Sequence, residues 1–413
     1  MFNQLWKFQR QFIKKKWKRW QLFHATDFLS LMRPCFTICH VLGLFPYKIN
    51  ASIFEASRSR YVVLIIISSI TSIYLMTKIY EINVLNVKVK ITERIEDNCF
   101  LALRSFIVIV SAILSGTRMR LLQTLLEVSS KLPPKSFEKL SKLIHMKDIF
   151  GFLLVTVRGL LSFVYYKSPN NNLSIIIRIL AHYNNLQIFQ MNMLYMNCVC
   201  ILKACFKRID DNLINLQELL INNKSRVPRL ICHQQRNPFL LEELKTIKKQ
   251  YLLVSDTVQM LNKIFSPQLL ATFIMVFVEI TFELYMNTVQ WHNGLFINLI
   301  NQFHETYMLF LVIYYVIKVI LIVWACETGK NQAIKISTTV HDFLNIINDE
   351  QIKIELQTFS LQIMHRNNTF SAKGLTVDAT LLTAMVGTIS TYLLILIQFF
   401  MTAHSCGKAG IYV

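Results

Sequence analysis

The chain has 413 residues, of which 53% are hydrophobic and only 16% are charged, with 10 glycines and 8 prolines. This composition excludes a typical soluble multidomain enzyme and is typical of a helical membrane protein. The formal net charge is +20. Because no nucleic-acid recognition motif accompanies that charge, we expect no nucleic-acid partner and assign the charge to loops that face anionic membrane lipid.

The first 60 residues are predicted to form a cytosolic basic arm and a short interfacial helix. The arm, "KFQRQFIKKKWKRWQ", lacks the apolar core and cleavage site of a signal peptide and is predicted to lie on the membrane surface. The stretch "RPCFTICHVLGLFPY" is shorter than the roughly 20 residues of a spanning helix, so residues 35–47 are interpreted as an interfacial or re-entrant helix.

Seven later stretches are apolar over about the 20 residues that a spanning helix requires. They are residues 61–80, 99–117, 149–166, 175–202, 264–291, 307–326 and 381–403. The predicted fold is therefore an all-α polytopic membrane protein with seven transmembrane helices.

The charge of the loops predicts the orientation, because cytosolic loops carry an excess of lysine and arginine. The arm before the first span and the loop 118–147 are basic, whereas the loop 85–97 is balanced. We therefore expect a cytosolic N-terminus and an extracellular C-terminus. On the extracellular side, Asn172 in "KSPNNNLS" is the one sequon that falls on a predicted outer loop, which makes it the candidate glycosylation site.

The remaining segments follow from these spans. Residues 61–202 hold helices 1 to 4, residues 203–263 are basic with apolar positions at helical spacing, and residues 264–326 hold helices 5 and 6. The segment 203–263 is predicted to extend the helices into the cytosol as an assembly or anchor region, although independent amphipathic hairpins fit the pattern equally well. Residues 327–380 are a cytosolic segment, 381–403 the last helix, and 404–413 a short extracellular tail.

Ionisable and hydrogen-bonding side chains interrupt the second to sixth spans. Intramembrane charges are costly and normally face a bundle interior or water. With the N-terminus inside, most of these groups fall in the outer halves of their helices, which predicts an outward-facing pocket. The candidate pocket residues are Arg104, Arg158, His182, Tyr183, Glu283, Asn287, Tyr307 and Tyr314.

Two interpretations of these polar residues stay open. Hydrogen-bonding groups beside aromatic rings suit a sugar or another polyol, whereas structural ion pairs, for example Glu279 with Lys318, would need no ligand. No Gly-rich phosphate loop, HExxH motif or nucleophile elbow is present. We therefore expect a receptor, channel or carrier that is not an enzyme and needs no cofactor or metal.

The last span ends in "TYLLILIQFF", residues 391–400. Thr-Tyr, five apolar residues and Gln-Phe is the signature that ends the seventh helix of insect gustatory receptors, and the chain resembles this family over residues 361–399. It also resembles the family more loosely in length, number of spans and topology. The segment "RPCFTICHVLGLFPY" is similar to the family's N-terminal Arg-Pro and Gly-Leu-x-Pro segment.

The resemblance implies a homotetramer, or a heteromer with related receptors, that acts as a ligand-gated cation channel in the plasma membrane of sensory neurons. One seventh helix per subunit then lines the pore, and the family places the gate at the Gln and Phe of the motif. The residues expected at the pore and gate are Thr391, Ile395, Gln398 and Phe399. Rings of Ile or Leu close such a pore by dewetting, and amides hydrate the ion.

The resemblance also implies a small soluble tastant as ligand. The common sugar-receptor variant has an acid after Thr-Tyr, whereas Leu393 follows here. The stretch "HRNNTFSAKGLTVDATLL" is more similar to the fructose-receptor group, although Ala372-Lys373 replaces its usual Cys. A sugar such as fructose is the favoured ligand. The alternatives are a broadly tuned or bitter-type receptor, a G-protein-coupled receptor with an external N-terminus, or a transporter or scaffold.

Overall fold

The computed structural model of the protein describes residues 23–50, 53–85, 91–165, 172–226, 238–292 and 299–409. Within them it is almost entirely helical, so the predicted all-α class is confirmed. The helices are α1 (Phe28–Val41), α2 (Arg58–Tyr80), α3 (Ile91–Ile113), α4 (Ser115–Ser129), α5 (Pro134–Tyr165), α6 (Asn172–Arg226), α7 (Pro238–His292), α8 (Leu299–Ile346), α9 (Glu350–His365) and α10 (Ala379–Ala409). A π-helical turn, Glu81–Leu85, continues α2.

Two short antiparallel hairpins complete the described part of the chain. The first pairs β1 (Tyr47–Asn50) with β2 (Ile53–Ala56), and the second pairs β3 (Ser371–Ala372) with β4 (Leu375–Thr376). Neither hairpin is expected from the sequence pattern, since the strands are too short to show an alternation of polar and apolar residues.

Five of the described helices are long and apolar enough to cross a membrane: α2, α6, α7, α8 and α10. The predicted spans 61–80, 175–202, 264–291, 307–326 and 381–403 fall on these helices. The predicted span 99–117 falls on α3 and α4, which meet at a bend of 62° and give a sixth crossing if the pair is one broken span. The predicted span 149–166 falls on α5, which is described as far as residue 165.

The bend between α3 and α4 lies at Leu114, where ψ is 6° and departs from the helical value, although the Leu114 N–H and carbonyl keep helical bonds with Val110 and Arg118. Side chains from other positions bond the carbonyl groups on both sides of the break. Arg118 donates from Nη2 to the carbonyl of Ser111 at 3.1 Å, and the Tyr47 hydroxyl donates to the carbonyl of Ser115. A sharp kink needs an identifiable cause, and here these two side-chain bonds hold the backbone on both sides of the bend.

The interfacial helix predicted over 35–47 has different bounds in the structure. It begins at Phe28 because Asp27 and Ser30 form a capping box. It ends at Val41 because Gly43 has φ +67° and the Leu44 N–H bonds the carbonyl of Cys39 at 2.7 Å, which is a Schellman motif. The prediction placed the helix too late because proline normally marks a helix start, whereas Pro34 here lies inside α1.

Helices α6, α7 and α8 continue without interruption far beyond the length of a membrane span, at 55, 55 and 48 residues. They pack around a continuous apolar core that also includes α9. A buried carboxylate joins α6 to α8: Asp210 accepts from the Thr339 hydroxyl at 2.6 Å and lies 2.8 Å from the Lys335 ammonium group. In the described part of the predicted assembly region, residues 203–226 and 238–263 are therefore helical extensions that share one core.

Candidate ligand-binding site

A cavity of about 490 Å³ lies between six elements at one end of the helical bundle. It is formed where α2, α5 and α7 end and where α3, α6 and α8 begin, so the alternating direction of the chain brings all these termini together. The volume is within the roughly 300–1,000 Å³ that small-molecule sites occupy. Its lining residues are Tyr74, Lys78, Glu81, Ile82, Glu96, Asp97, Phe100, Leu101, Arg104, Arg158, Gly159, Ser162, Arg178, Ala181, His182, Asn185, Glu279, Glu283, Tyr307 and Leu311.

The lining concentrates acidic side chains where α3 meets α7. Glu96, Glu279 and Glu283 each place a carboxylate oxygen so that the three oxygens lie within 4.8 Å of one another. Glu279 and Glu283 are one helical turn apart on α7 and each is only 7% exposed. Like charges this close in a poorly solvated site repel each other, so this corner of the cavity favours a cationic group.

Cationic side chains line the same cavity and are held by aromatic rings. The guanidinium carbon of Arg104 lies 3.6 Å from the centre of the Phe100 ring. Arg158 donates to the Tyr315 hydroxyl at 2.7 Å and lies about 5 Å from the ring centres of Tyr314 and Tyr315. Cation–π contacts of this kind stabilise a desolvated guanidinium by up to about 2 kcal/mol. The rings thus orient both cations before any ligand arrives.

The structure brings five of the eight candidate pocket residues to this cavity: Arg104, Arg158, His182, Glu283 and Tyr307. It places the other three elsewhere. The Tyr183 hydroxyl donates to the carbonyl of Leu42 at the end of α1, at 2.9 Å. Tyr314 lies beneath Arg158 and borders a separate, much smaller space, and Asn287 is half-buried outside the cavity.

Several lining residues are absent from the sequence-based set, notably Glu96 and Asp97. They fall in the segment 85–97, whose balanced charge suggested an ordinary outer loop, whereas α3 begins at Ile91 and carries both into the cavity wall. The sequence does carry a signal for this earlier helix start, because Ile91, Ile95 and Cys99 are apolar and lie at helical spacing. The ion pair between Glu279 and Lys318 that the sequence left open as an alternative is not formed within 4 Å, although the structure describes both residues.

A close approach of α5 and α6 positions His182 in the cavity wall. A Cβ atom on Gly159 would lie 2.2 Å from Cε1 of the His182 ring, so only glycine leaves room for the ring. We expect Gly159→Ala to lower the melting temperature of the purified receptor by about 1–3 °C, since overpacking costs about 1–3 kcal/mol. Adding His182→Ala should remove most of this loss, whereas Gly116→Ala, where the added Cβ meets open space, should have little effect.

Equal losses in the single Gly159→Ala variant and in the double variant would contradict this packing arrangement. Differential scanning fluorimetry on the four proteins, with wild type as reference, provides the measurement.

The second candidate site is the exposed face of α10. The apolar window of α6 is 89% buried, whereas that of α10 is 6% buried. One side of α10 packs on the bundle through Leu381 and Ile389, and Tyr392 contacts the Phe277 ring of α7 with centroids 5.8 Å apart. Helical periodicity places Thr391 and Gln398 on the opposite side, and both are exposed.

Ile395 lies between the two sides of α10, and Phe399, two turns after Tyr392, lies on the same side as that ring. They are 39% and 72% exposed, respectively. All four residues expected at the pore therefore present exposed side chains within a single subunit. Because an amide in lipid is costly, the exposed Gln398 indicates that this face contacts water or protein.

Two carboxylates hold the start of α10 against α8. The backbone N–H of Ala379 donates to Glu327 at 3.4 Å, and Asp378 lies 3.0 Å from the Lys330 ammonium group. Hydrogen bonds from Thr380, followed by the bond from Lys330, lower the pKa of Asp378 from its ordinary value. The hairpin β3–β4 precedes this start and is bonded to α7, where Asn262 donates to the carbonyl of Thr369 at 2.8 Å.

The turn of this hairpin is Lys373-Gly374, in which both residues have positive φ. That conformation is the type I′ turn that suits a two-residue hairpin. The chain entering α10 is thus fixed to α7 and α8, the same two helices that carry Glu279, Glu283 and Tyr307 into the cavity.

A helical bundle with several membrane-length helices, a buried charged cavity at one end and an exposed amide-bearing helix defines the class as a polytopic membrane receptor. A family model described as "7tm Chemosensory receptor" matches residues 32–402. The match covers most of the chain, and the protein belongs to this family of chemosensory receptors.

Relatives from Drosophila melanogaster support the same assignment. The chain is 34% identical over 154 residues to the protein assigned as gustatory receptor 28b, which is 36% of this chain and 32% of that protein. It is 29% identical over 164 residues to gustatory receptor 28a, which is 39% of this chain and 36% of that protein. The alignments therefore span about a third of each relative.

Solved structures show the same fold at low sequence identity. The insect olfactory receptor OR5 from Machilis hrabei superposes with a TM-score of 0.64 and 12% identity, over 89% of this chain and 97% of that chain. The structure of that receptor in complex with eugenol gives a TM-score of 0.62, also at 12% identity.

Proposed function

We propose that the protein is a gustatory receptor that forms a ligand-gated, non-selective cation channel opened by a small soluble tastant. The observation that carries the proposal is the cavity of about 490 Å³, lined by side chains from six elements and by the buried charged groups of Arg104, Glu279 and Glu283, in a member of a chemosensory receptor family. Charged groups are expensive to bury in a membrane bundle and usually have a functional role there. We place the receptor in the plasma membrane of sensory neurons.

The proposed pore is formed by four copies of α10 around a central axis. In a homotetramer, or a heteromer with related receptors, the faces that carry Thr391 and Gln398 would meet and form rings of polar side chains. Ile395 and Phe399 flank these rings. Apolar rings close a narrow pore by dewetting and amide rings hydrate a passing cation, which supports a gate at Gln398 and Phe399. No carboxylate lies in 381–403, so discrimination among monovalent cations should be weak.

Coupling between the two sites is supported by α7. This helix presents Glu279 to the cavity, and two residues away Phe277 packs on Tyr392 of α10. A ligand that draws α7 towards the cavity would therefore also change how α10 packs on α7. A ligand shifts a gating equilibrium only if it binds the open state more tightly than the closed state, and α7 is the element through which such a difference reaches the pore.

The ligand candidates are a sugar such as fructose, or the broader or bitter-type ligands of related receptors. Carboxylates, guanidinium groups and the aromatic rings of Tyr74, Phe100 and Tyr307 are groups that bind hydroxylated molecules. The test is to express the chain alone in a non-neuronal cell line, apply sugars and bitter compounds singly, and record whole-cell current. Ligand-evoked inward current is expected. Silence across the panel despite confirmed surface expression would contradict a self-sufficient channel.

The proposed topology separates this function from a G-protein-coupled receptor. The basic arm and basic loop 118–147 favour a cytosolic N-terminus. An N-terminal epitope tag should be stained only after the cells are permeabilised, and a C-terminal tag should be stained on intact cells. Staining of the N-terminal tag on intact cells would contradict the proposed topology.

A further inference from the structure

Glu279 and Glu283 face the same cavity as Arg104 and Arg158 without pairing directly with them, whereas Lys78 and Glu81, which also line it, form an ion pair at 2.6 Å. Glu279 and Glu283 lie with Glu96 in one carboxylate cluster, and Arg104 and Arg158 line the same space. No ion pair within 4 Å joins either of these arginines to Glu279 or Glu283, all four of which the structure describes. Buried charges are normally paired, so this separation indicates space for a ligand that completes the pairs.

The cationic side of the cavity also has a donor without an acceptor. Arg104 is 6% exposed, and its Nε atom is buried with no hydrogen-bond partner. The guanidinium group is held over the Phe100 ring at 3.6 Å, which fixes its plane. A buried donor left unsatisfied costs about 1–3 kcal/mol, so an acceptor supplied by a ligand would recover that free energy.

We propose that the ligand of this cavity is a small zwitterion of the free amino acid class. Its ammonium group lies among the carboxylates of Glu96, Glu279 and Glu283, and its carboxylate accepts from the guanidinium group of Arg104. Charge-assisted hydrogen bonds form at both ends of such a molecule. The inference rests on the proposed function only in assigning the ligand to the same cavity.

The alternatives satisfy only part of the site. A neutral sugar bonds to carboxylates and guanidinium groups through its hydroxyls but brings no opposite charge to either group. A divalent cation satisfies the three carboxylates but leaves the Arg104 donor without an acceptor and places a further positive charge near the arginines. A zwitterion neutralises both ends while adding no net charge to the bundle.

The first experiment measures binding directly, without current. The full chain is purified in detergent, and the twenty standard amino acids are added singly while its melting temperature is followed. At least one amino acid should raise the melting temperature. Its N-acetyl derivative, which lacks the ammonium group, and its methyl ester, which lacks the carboxylate, should each bind at least tenfold more weakly than the parent amino acid.

Variants assign the two ends of the ligand to the two sides of the cavity. In Glu283→Gln, the preference for the free amino acid over its N-acetyl derivative should fall, whereas the preference over its methyl ester should persist. In Arg104→Gln the pattern should be reversed. Glu279→Gln provides a second test of the carboxylate cluster if Glu283→Gln does not fold. Glu242→Gln, at an exposed position on α7, is the matched control and should bind as wild type does.

The outcomes separate this inference from the proposed channel function. Fructose that stabilises the protein and opens the channel, with all twenty amino acids inactive, would overturn the zwitterion and leave the channel in place. If Ca²⁺ raises the melting temperature and no amino acid does, the carboxylate cluster is a cation site and the zwitterion is overturned. An amino acid that binds with the expected derivative pattern but evokes no current would support the inference and contradict the channel. No stabilisation by any amino acid overturns the inference.

Discussion

Arg158→Met should raise the ligand concentration that gives half-maximal current by about 10- to 100-fold. Arg158 lines the cavity, donates to the Tyr315 hydroxyl at 2.7 Å and stacks on two tyrosine rings. A hydrogen bond from the charged Arg158 guanidinium group to the ligand would contribute about 1.5–3 kcal/mol to binding. Each 1.4 kcal/mol is a factor of ten in affinity. Methionine keeps much of the side-chain length but removes the charge and the donors. Concentration–response curves on cells that express each variant provide the measurement.

Arg158→Lys is the informative companion, because lysine keeps the charge and loses the planar fork. It should give an intermediate shift. Surface labelling must first show that the variants reach the membrane in comparable amounts. A half-maximal concentration for Arg158→Met within twofold of wild type would remove Arg158 from the ligand site and leave it only a packing role beneath the cavity.

Gln398→Leu should nearly abolish current at saturating ligand while leaving ligand affinity unchanged. Gln398 is exposed on the face of α10 opposite the one that packs on α7, far along the chain from every cavity residue. Replacing a ring of amides by a ring of isobutyl groups removes the donors and acceptors that replace the hydration shell of the ion, and it lengthens the apolar barrier. Maximal current density and ligand-induced thermal stabilisation, measured on the same variant, separate conduction from binding.

Two further variants act as controls for the pore position. Gln398→Asn retains an amide and should keep a substantial part of the current. Ile397→Val, on the half-buried side of α10, should conduct as wild type does. Full-sized currents from Gln398→Leu would show that α10 does not place this residue in the conduction path.

Much of the helical architecture could be predicted because long apolar stretches are a strong signal in sequence. The pattern located all five of the helices that meet the membrane-spanning criterion, and charges in the second to sixth spans identified residues that the fold does bring to one cavity, such as Arg104 and Glu283. The prediction of these cavity residues succeeded because a charged side chain in a membrane bundle normally faces the bundle interior or water.

The errors arise where tertiary partners decide the outcome. Tyr183 is a predicted pocket residue because its aromatic ring lies beside hydrogen-bonding groups, yet its hydroxyl bonds the carbonyl of Leu42, which has no helical partner where α1 ends. The bend at Leu114 depends on Tyr47 and Arg118, and the former is 67 residues away along the chain. Long-range contacts of this kind leave no periodic trace in a single sequence.

For α10, the sequence predicts which residues share a face of the helix. Periodicity alone predicts that Thr391 and Gln398 share a face, and the structure leaves that face exposed. The proposed tetrameric pore combines this exposed face with the family resemblance. The interactions that fix the start of α10, from Glu327 and Lys330, became visible only once the fold placed α8 beside Asp378.

Current across a planar lipid bilayer that contains only this purified chain provides the critical measurement. A ligand that stabilises the receptor in detergent is added to the bath while current is recorded at a fixed voltage. We expect discrete cation currents that appear with the ligand, that discriminate weakly between Na⁺ and K⁺, and that are lost in Gln398→Leu. A ligand that binds the reconstituted protein without evoking any current would contradict the proposal that this chain forms the channel.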